Sequence, residues 1–302
     1  MSIKTDVRTP EVTLNYMKYV EIENDSRYPA VTGGVGQGIF NKSAILVQPV
    51  DPFNTGIGSG TGQQDYIEKF GANLSVGSDL ETIWEPGGIY EYLTTASVVS
   101  AVSDEAGDTA PSGTGARTIE LQGLDSNYNT ITEIISTGGT GGGTPSTQQF
   151  LRIFRALVKT AGSTGTNEGD ILVKAGSTTV ISIGTHGTGS NKEGFGQSQT
   201  SVYTIPAGKT GYLTQWSVGS SVYNSGVQAY FKVSEVNDGP ILRTKDIMFL
   251  NNYSIKDYKV PLQLPEKTDV EVRAYDNSTG IPVSTSYTVS YTHLTLPTPP
   301  YV

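Results

Sequence analysis

The chain has 302 residues, of which 36% are hydrophobic and only 16% charged, with 36 Gly, 17 Tyr, no Cys and a formal net charge of −9. That length accommodates two domains of about 100–150 residues or one large one, and low charge with recurring Thr, Tyr, Val and Ile blocks points to a β-rich folded chain instead of a disordered one. The missing Cys excludes disulfides, thiolate nucleophiles, iron–sulfur clusters and Cys-bound zinc, and an acidic balance without a Lys/Arg cluster argues against nucleic acid as a partner.

The N-terminus, Met1-Ser2-Ile3-Lys4-Thr5-Asp6, lacks a basic start followed by an apolar stretch, and no run of 18 apolar residues occurs, so neither a secretory signal nor a helical membrane span is expected. Residues 1–65 are expected to form an extended, Gly-rich arm. Gly33–Gly38 and Gly56–Gly62 suit flexible connectors, Pro49–Phe53 suits a turn, and Ala44-Ile45-Leu46-Val47 is an apolar block. Tyr66–Gly71 is expected to form at most a short helical turn closed by Gly71.

Residues 66–190 are expected to form a first antiparallel β-sandwich. Its strands are expected at Thr82–Glu85, Ser97–Val102, Arg117–Gln122, Thr130–Ser136 and Gln149–Val158, with two short ones between Ile171 and Ile183. Thr118–Gln122 and Thr130–Ile134 alternate polar with apolar residues around the turn formers Gly123–Asn129, which predicts a hairpin with one buried face. The run Phe150–Val158 has helical length, but its Ile, Phe and Val content with alternating Arg favours a strand. Asn191–Gln197 is expected to link this lobe to a second, jelly-roll-like sandwich over 191–288. Strands there are expected at Ser201–Ile205, Tyr212–Val218, Val227–Val236, Ile241–Leu250, Tyr253–Leu262 and Asp269–Tyr275.

Few motifs carry chemistry. Gly208-Lys209-Thr210 resembles the end of a phosphate-binding loop, but Tyr203 stands where that pattern needs glycine, and Ile205-Pro206-Ala207-Gly208 suits a hairpin turn instead. The glycine loops lack dinucleotide-binding spacing. His186 stands in a Gly-rich loop with no nucleophile or orienting acid beside it in sequence. The carboxylates of Asp104-Glu105-Ala106-Gly107-Asp108 are of the type that holds calcium, but without EF-hand spacing they suit a solvated acidic turn. No cofactor, metal or catalytic residue is assigned. Trp84, Trp216 and the tyrosines offer flat faces for a pyranose ring, although alternation favours the core for most of them. Tyr90 and Tyr92 are expected to be the exposed ones, and with Trp84 they are the candidate ligand or partner contacts.

The segments Ile83-Trp84-Glu85-Pro86-Gly87-Gly88, Gly115-Ala116-Arg117-Thr118-Ile119, Gly123–Asn129, Phe150-Leu151-Arg152 and Tyr203–Leu213 resemble a family of virion structural proteins of tailed bacteriophages, many of them marine, over residues 66–275. The insertion Gly138–Gly143 and the arm have no counterpart in that family. The resemblance implies a non-enzymatic virion component, assembled in the host cytoplasm. Its partners would be other capsid or tail subunits and further copies of itself, with neither nucleic acid nor membrane bound. An extended arm, sheet edges and an acidic exterior suit such a role. The alternative is a tail-fibre or adhesin module that binds a host receptor or glycan through loops and aromatics. A third class, a polysaccharide depolymerase, requires two carboxylates about 5–10 Å apart in a cleft. Finally, Val289-Ser290-Tyr291-Thr292-His293-Leu294-Thr295-Leu296-Pro297-Thr298 resembles the translated transposase adapter of shotgun sequencing libraries. It implies an environmental assembly, a native chain truncated near Thr288 and a non-native tail over 289–302.

Overall fold

The computed structural model describes residues 18–21, 44–47, 64–187, 192–223, 226–236, 241–277 and 280–292. The chain divides into a unit Met1–Thr61 and a unit Gly62–Val302. In the first, β1 (Lys18–Glu21) and β2 (Ala44–Val47) pair antiparallel, with Lys18 opposite Val47. The other arm features, the connectors Gly33–Gly38 and Gly56–Gly62 and the turn Pro49–Phe53, lie outside the described residues, as do residues 293–302.

The second unit is built of β-strands around two hydrophobic cores. The larger core lies between two sheets. One has the order β17 (Tyr253–Leu264), β14 (Thr210–Ser220), β19 (Ile281–Thr292), β3 (Gln64–Val76). The other has the order β13 (Tyr203–Thr204), β18 (Asp269–Tyr275), β15 (Gln228–Ser234), β16 (Arg243–Phe249), and β4 (Glu81–Thr82) also pairs with β18. Thr82 lies opposite Arg273 and Tyr203 opposite Val270, with Ile83 N donating to Val272 O between them at 2.8 Å, so β4 and β13 occupy one interrupted strand position along β18. Counted in chain order with β4 and β13 as one, the eight positions pair first with last and third with sixth in one sheet, and second with seventh and fourth with fifth in the other, which is the jelly-roll connectivity. Alternating inward residues fill the interior: Leu213, Trp216 and Val218 from β14, Val283, Tyr287, Val289 and Tyr291 from β19, and Phe231, Val270 and Val272 from the facing sheet.

The smaller sandwich is inserted between β4 and β13. Its sheets run β10 (Thr178–Ile183), β9 (Ile171–Ala175), β5 (Ser100–Ser103) and β7 (Thr130–Ser136), β6 (Ala116–Leu124), β8 (Arg152–Ala161). Ile119, Leu121, Phe150, Ile153, Ile171 and Ile181 pack between them. The β6–β7 hairpin forms as expected, with Thr118 opposite Ser136, and Asp125 Oδ1 accepts from the amides of Asn127 (2.7 Å) and Asn129 (2.9 Å) to close its turn.

Four local expectations are corrected. Tyr66–Gly71 is not a helical turn but the middle of β3, whose polarity is inverted. Tyr66, Phe70 and Leu74 face outward, while Lys69, Gly71 and Asn73 face inward between Ile67 and Val76, so the middle of the strand has its apolar residues on the wet face and the usual strand signal is hidden. Strand β19, absent from the expected set, continues one alternation from Ile281 through Val283, Thr285 and Tyr287 to Val289 and Tyr291, all buried. Its early Pro282 is accommodated at a register shift between Ile281 and Val283. The turn at Pro206–Gly208, with Gly208 at φ 72°, does not close a hairpin; it carries the chain from β13 in one sheet to β14 in the other. Asn191–Gln197 is not a free linker over its described part. β11 (Thr185–His186) pairs with β12 (Glu193–Gly194), and Val158 N donates to Gly196 O at 2.8 Å.

Candidate functional site

The three candidate aromatics form a small cluster of their own with Val202. Trp84 and Tyr90 are only 5% and 4% exposed, so the expected exposure of Tyr90 is corrected and a flat platform of Trp84, Tyr90 and Tyr92 does not exist. The cause is local. Trp84 Nε1 donates to Gly87 O at 2.8 Å, and the Tyr90 amide donates to Thr82 Oγ1 at 2.9 Å, which folds the Gly-rich loop back over the indole. The rings meet edge to face, Trp84 to Tyr90 at 5.1 Å and Tyr90 to Tyr92 at 4.9 Å. Burial drives the Tyr90 hydroxyl pKa upward. Tyr92 alone is half-buried. Its hydroxyl and Glu271 Oε2 lack a hydrogen bond of ordinary geometry. Burial raises the Glu271 pKa, opposed by Arg273 and by that phenol.

Tyr92 stands beside a cleft of about 340 Å³ between the two sandwiches, a volume within the range of small-molecule sites. Its floor is Arg152, whose Nε and Nη2 each donate to Asp269 at 2.9 Å while Nη1 donates to Leu93 O at 2.7 Å. Thr204 Oγ1 donates to Asp269 Oδ1 at 2.5 Å, and the guanidinium lies 4.9 Å from the Tyr92 ring centre. This bidentate pair joins the start of β8 in the inserted lobe to the start of β18 in the jelly roll and neutralises itself. Leu93, Leu151 and Leu242 supply apolar wall.

Two further lining residues, Tyr128 (φ 64°) and Lys267 (φ 61°), have left-handed backbones. Glycine or asparagine takes that conformation readily, whereas other side chains cost about 1–2 kcal/mol. Tyr128 ends the β6–β7 turn and Lys267 the β17–β18 turn, and Lys267 Nζ stands 5.8 Å from the Tyr128 ring centre. Among the described residues Lys267 has no ion-pair partner, while neighbouring Glu266 accepts from the Gly208 amide at 2.6 Å. The sequence marks both positions only as turns; their meeting depends on long-range packing.

A second cleft of about 450 Å³ lies between β3 and β8. Lys69 lines it, donating to Phe154 O; burial, then the Arg155 charge, lowers its pKa to about 7. Among the described residues, each of these two clefts has one carboxylate in its lining, Asp269 in the first and Glu68 in the second.

The remaining candidates have structural partners. Asp108 is fully buried; its carboxylate accepts from Ser103 Oγ (2.6 Å) and from the amides of Ala116 (2.7 Å), Glu168 and Gly169 (2.9 Å each). Asp104 Oδ1 accepts from the Asp170 amide at 2.7 Å, so this acidic turn pins two loops together. His186 is exposed in β11, with Nε2 3.8 Å from Glu193 Oε2.

The outer side of the jelly roll carries a different feature. Strands β16 and β17 are each the last strand of their sheet. On and beside them Phe249, Tyr253 and Val260 are 72%, 60% and 84% exposed, accompanied by Ile241, Ile247 and Ile255. Asp246 ties the two strands together by accepting from Lys256 Nζ (2.5 Å) and the Tyr258 hydroxyl (2.6 Å).

No protein-family model matches the chain, and no curated protein matches it. Among solved structures it is similar to the infectious bursal disease virus VP2 subviral particle, with 9% identity, 78% of this chain and 74% of that chain covered, and a TM-score of 0.21. It is also similar to infectious bursal disease virus Gt strain, with 10% identity, 78% of each chain covered and a TM-score of 0.17. Similarity of that size carries neither fold nor function, and the β-sandwich assignment rests on the strand order itself.

Proposed function

We propose that this chain is a structural component of a virion, placed on the capsid surface or tail of a tailed bacteriophage and acting through repeated protein–protein contacts with copies of itself and neighbouring subunits. The observation that carries this reading is the exposed apolar corner at β16 and β17. Each such side chain that becomes buried on association contributes about 1.5–3 kcal/mol, and large apolar side chains left exposed on two edge strands suit an interaction site. The edge itself is guarded: Lys256, Lys259 and Pro261, with a register shift opposite Leu213–Gln215, discourage open-ended strand addition. Contact is therefore through side chains, and small affinities sum over many copies. The jelly roll is an architecture that capsid and lectin domains both use, an analogy that leaves the choice to the surface.

The test is sedimentation of the full chain across a wide concentration range. Oligomers that dissociate on combining Phe249→Thr, Tyr253→Thr and Val260→Thr, with the melting temperature retained, are the expected result. A parent chain that stays monomeric at every concentration and does not add to particles lacking it would overturn the reading.

A further inference from the structure

Tyr128 and Lys267 are the two non-glycine residues with positive φ among the described residues, and although distant in sequence they line one cleft. A turn that needs only to turn is better served there by glycine or asparagine, so the side chains at these two positions have a use beyond the turn. Backbone held in a disfavoured region points to function when the surroundings enforce it. Here the Lys267 amide donates to Ile205 O at 2.7 Å and Tyr128 O accepts from the Ala207 amide at 2.9 Å, which fixes both turns against the same segment.

The chemistry of the cleft narrows the ligand. Arg152 is neutralised by Asp269, so among the described residues of the lining Lys267 is the positive charge without an ion-pair partner. One cation suits a monoanion; a phosphate group recruits several cations or an unengaged Arg fork. The rings of Tyr92 and Tyr128 and the nearby leucines favour an apolar face on the same ligand, and the Thr94 side chain at the lining favours a hydroxyl. A pyranose acid combines a carboxylate, a CH face and hydroxyls in a body that about 340 Å³ admits.

We infer that the cleft between the two sandwiches binds a carboxylate-bearing sugar unit, its carboxylate on Lys267 Nζ and its ring against Tyr128. This does not depend on the assembly reading.

The experiment is ligand-observed NMR titration of the full chain with glucuronate and N-acetylneuraminate, with glucose and benzoate as controls. Binding of at least one sugar acid in a range of about 1–10 mM is expected, with glucose and benzoate weaker, and at least about tenfold loss in Lys267→Asn and in Tyr128→Asn. Because asparagine accepts the left-handed backbone, both variants are expected to melt at or above the parent temperature. Failure of the parent to bind either acid overturns the inference, as does undiminished binding in both variants or a preference for benzoate. Variants that melt several degrees lower around a non-binding parent would make the two residues a clasp between lobes and nothing more. Since neither residue belongs to the β16–β17 corner, none of these outcomes bears on oligomerisation.

Discussion

Glu85 sits where its charge is poorly accommodated. Its carboxylate lies against Gly184, where an added Cβ would stand 1.1 Å from Oε1, and accepts from Ser182 Oγ at 3.0 Å. Burial raises its pKa to about 7 from 4.5; the Ser182 hydrogen bond opposes the shift and the Asp170 charge adds to it. The folded state therefore binds more protons than the unfolded one between those two values. The stability this group contributes is fully present below about pH 4.5 and is lost as pH rises through about 7, a swing of up to about 3 kcal/mol. Glu85→Gln is accordingly expected to leave the melting temperature unchanged at pH 4 and to raise it by several degrees at pH 8, as thermal melts across that window would read. A parent-to-variant gap independent of pH would refute this account of the site. At this scale sequence says least. Tyr90 looks exposed beside Gly87, Gly88 and Glu91, and nothing in its spacing announces that Trp84 Nε1 binds the Gly87 carbonyl and closes the loop over both rings. Tyr128 and Lys267 are likewise legible only as turn residues.

Strands were legible wherever the inward face was apolar and local. Thr130–Ser136 and Asp269–Tyr275 have the bounds that alternation predicts. Strand β3 was not, because Lys69, Gly71 and Asn73 point inward. Gly71 explains why such residues are required. A Cβ there would meet Ile83 O and Ser201 N at 2.4 Å, both backbone atoms that cannot rotate away. The interrupted strand β4–β13 passes directly beneath, and only a bare backbone lets β3 close the sheet over it. Gly71→Ala is expected to cost more than about 3 kcal/mol, since overpacking against backbone forces main-chain shifts. Hydrogen exchange should show early loss of protection in β3 and along β19, its ladder partner, while β6 and β7 keep theirs. Equal loss in both lobes would mean that the strain is not confined to that sheet. Strand β19 was obscured for a different reason: Pro282 and the polar run Ser284-Thr285-Ser286 weaken its start. The resemblance of residues 289–298 to adapter sequence then drew the expected native limit at Thr288, inside the strand. Val289-Ser290-Tyr291-Thr292 forms strand because it continues the phase of Val283, Thr285 and Tyr287, whatever its origin.

At the largest scale, the unit Gly62–Val302 is organised by interruption. A jelly roll is opened at one strand position, and the smaller sandwich is inserted there between Ile83 and Ser201, whose backbones remain bonded at 3.0 Å. Two β-sandwich cores were legible in the sequence because each draws mostly on its own stretch of alternating strands. That β3 and β4 belong to the later core was not, since pairings across more than a hundred residues leave no local pattern. It follows that residues 198–292 by themselves are an incomplete jelly roll, lacking Val76 and Ile83 from the core and leaving β19 as an unprotected edge. Thr292 lies opposite Gln64, so β19 and β3 are neighbours that a two-residue Asn-Gly turn suffices to join. A permuted chain running 198–292, that turn, then 64–83 is expected to melt cooperatively, whereas 198–292 alone is expected to aggregate or to lack a transition. Trp216 is the only tryptophan in either piece and is fully buried in the intact protein, so its emission reports core formation directly. Cooperative folding of 198–292 without the added segment would show that β3 decorates the sandwich, and its failure in both pieces would show that the inserted lobe, through Phe154 on Tyr203 and Arg152 on Asp269, is required to hold the jelly roll closed.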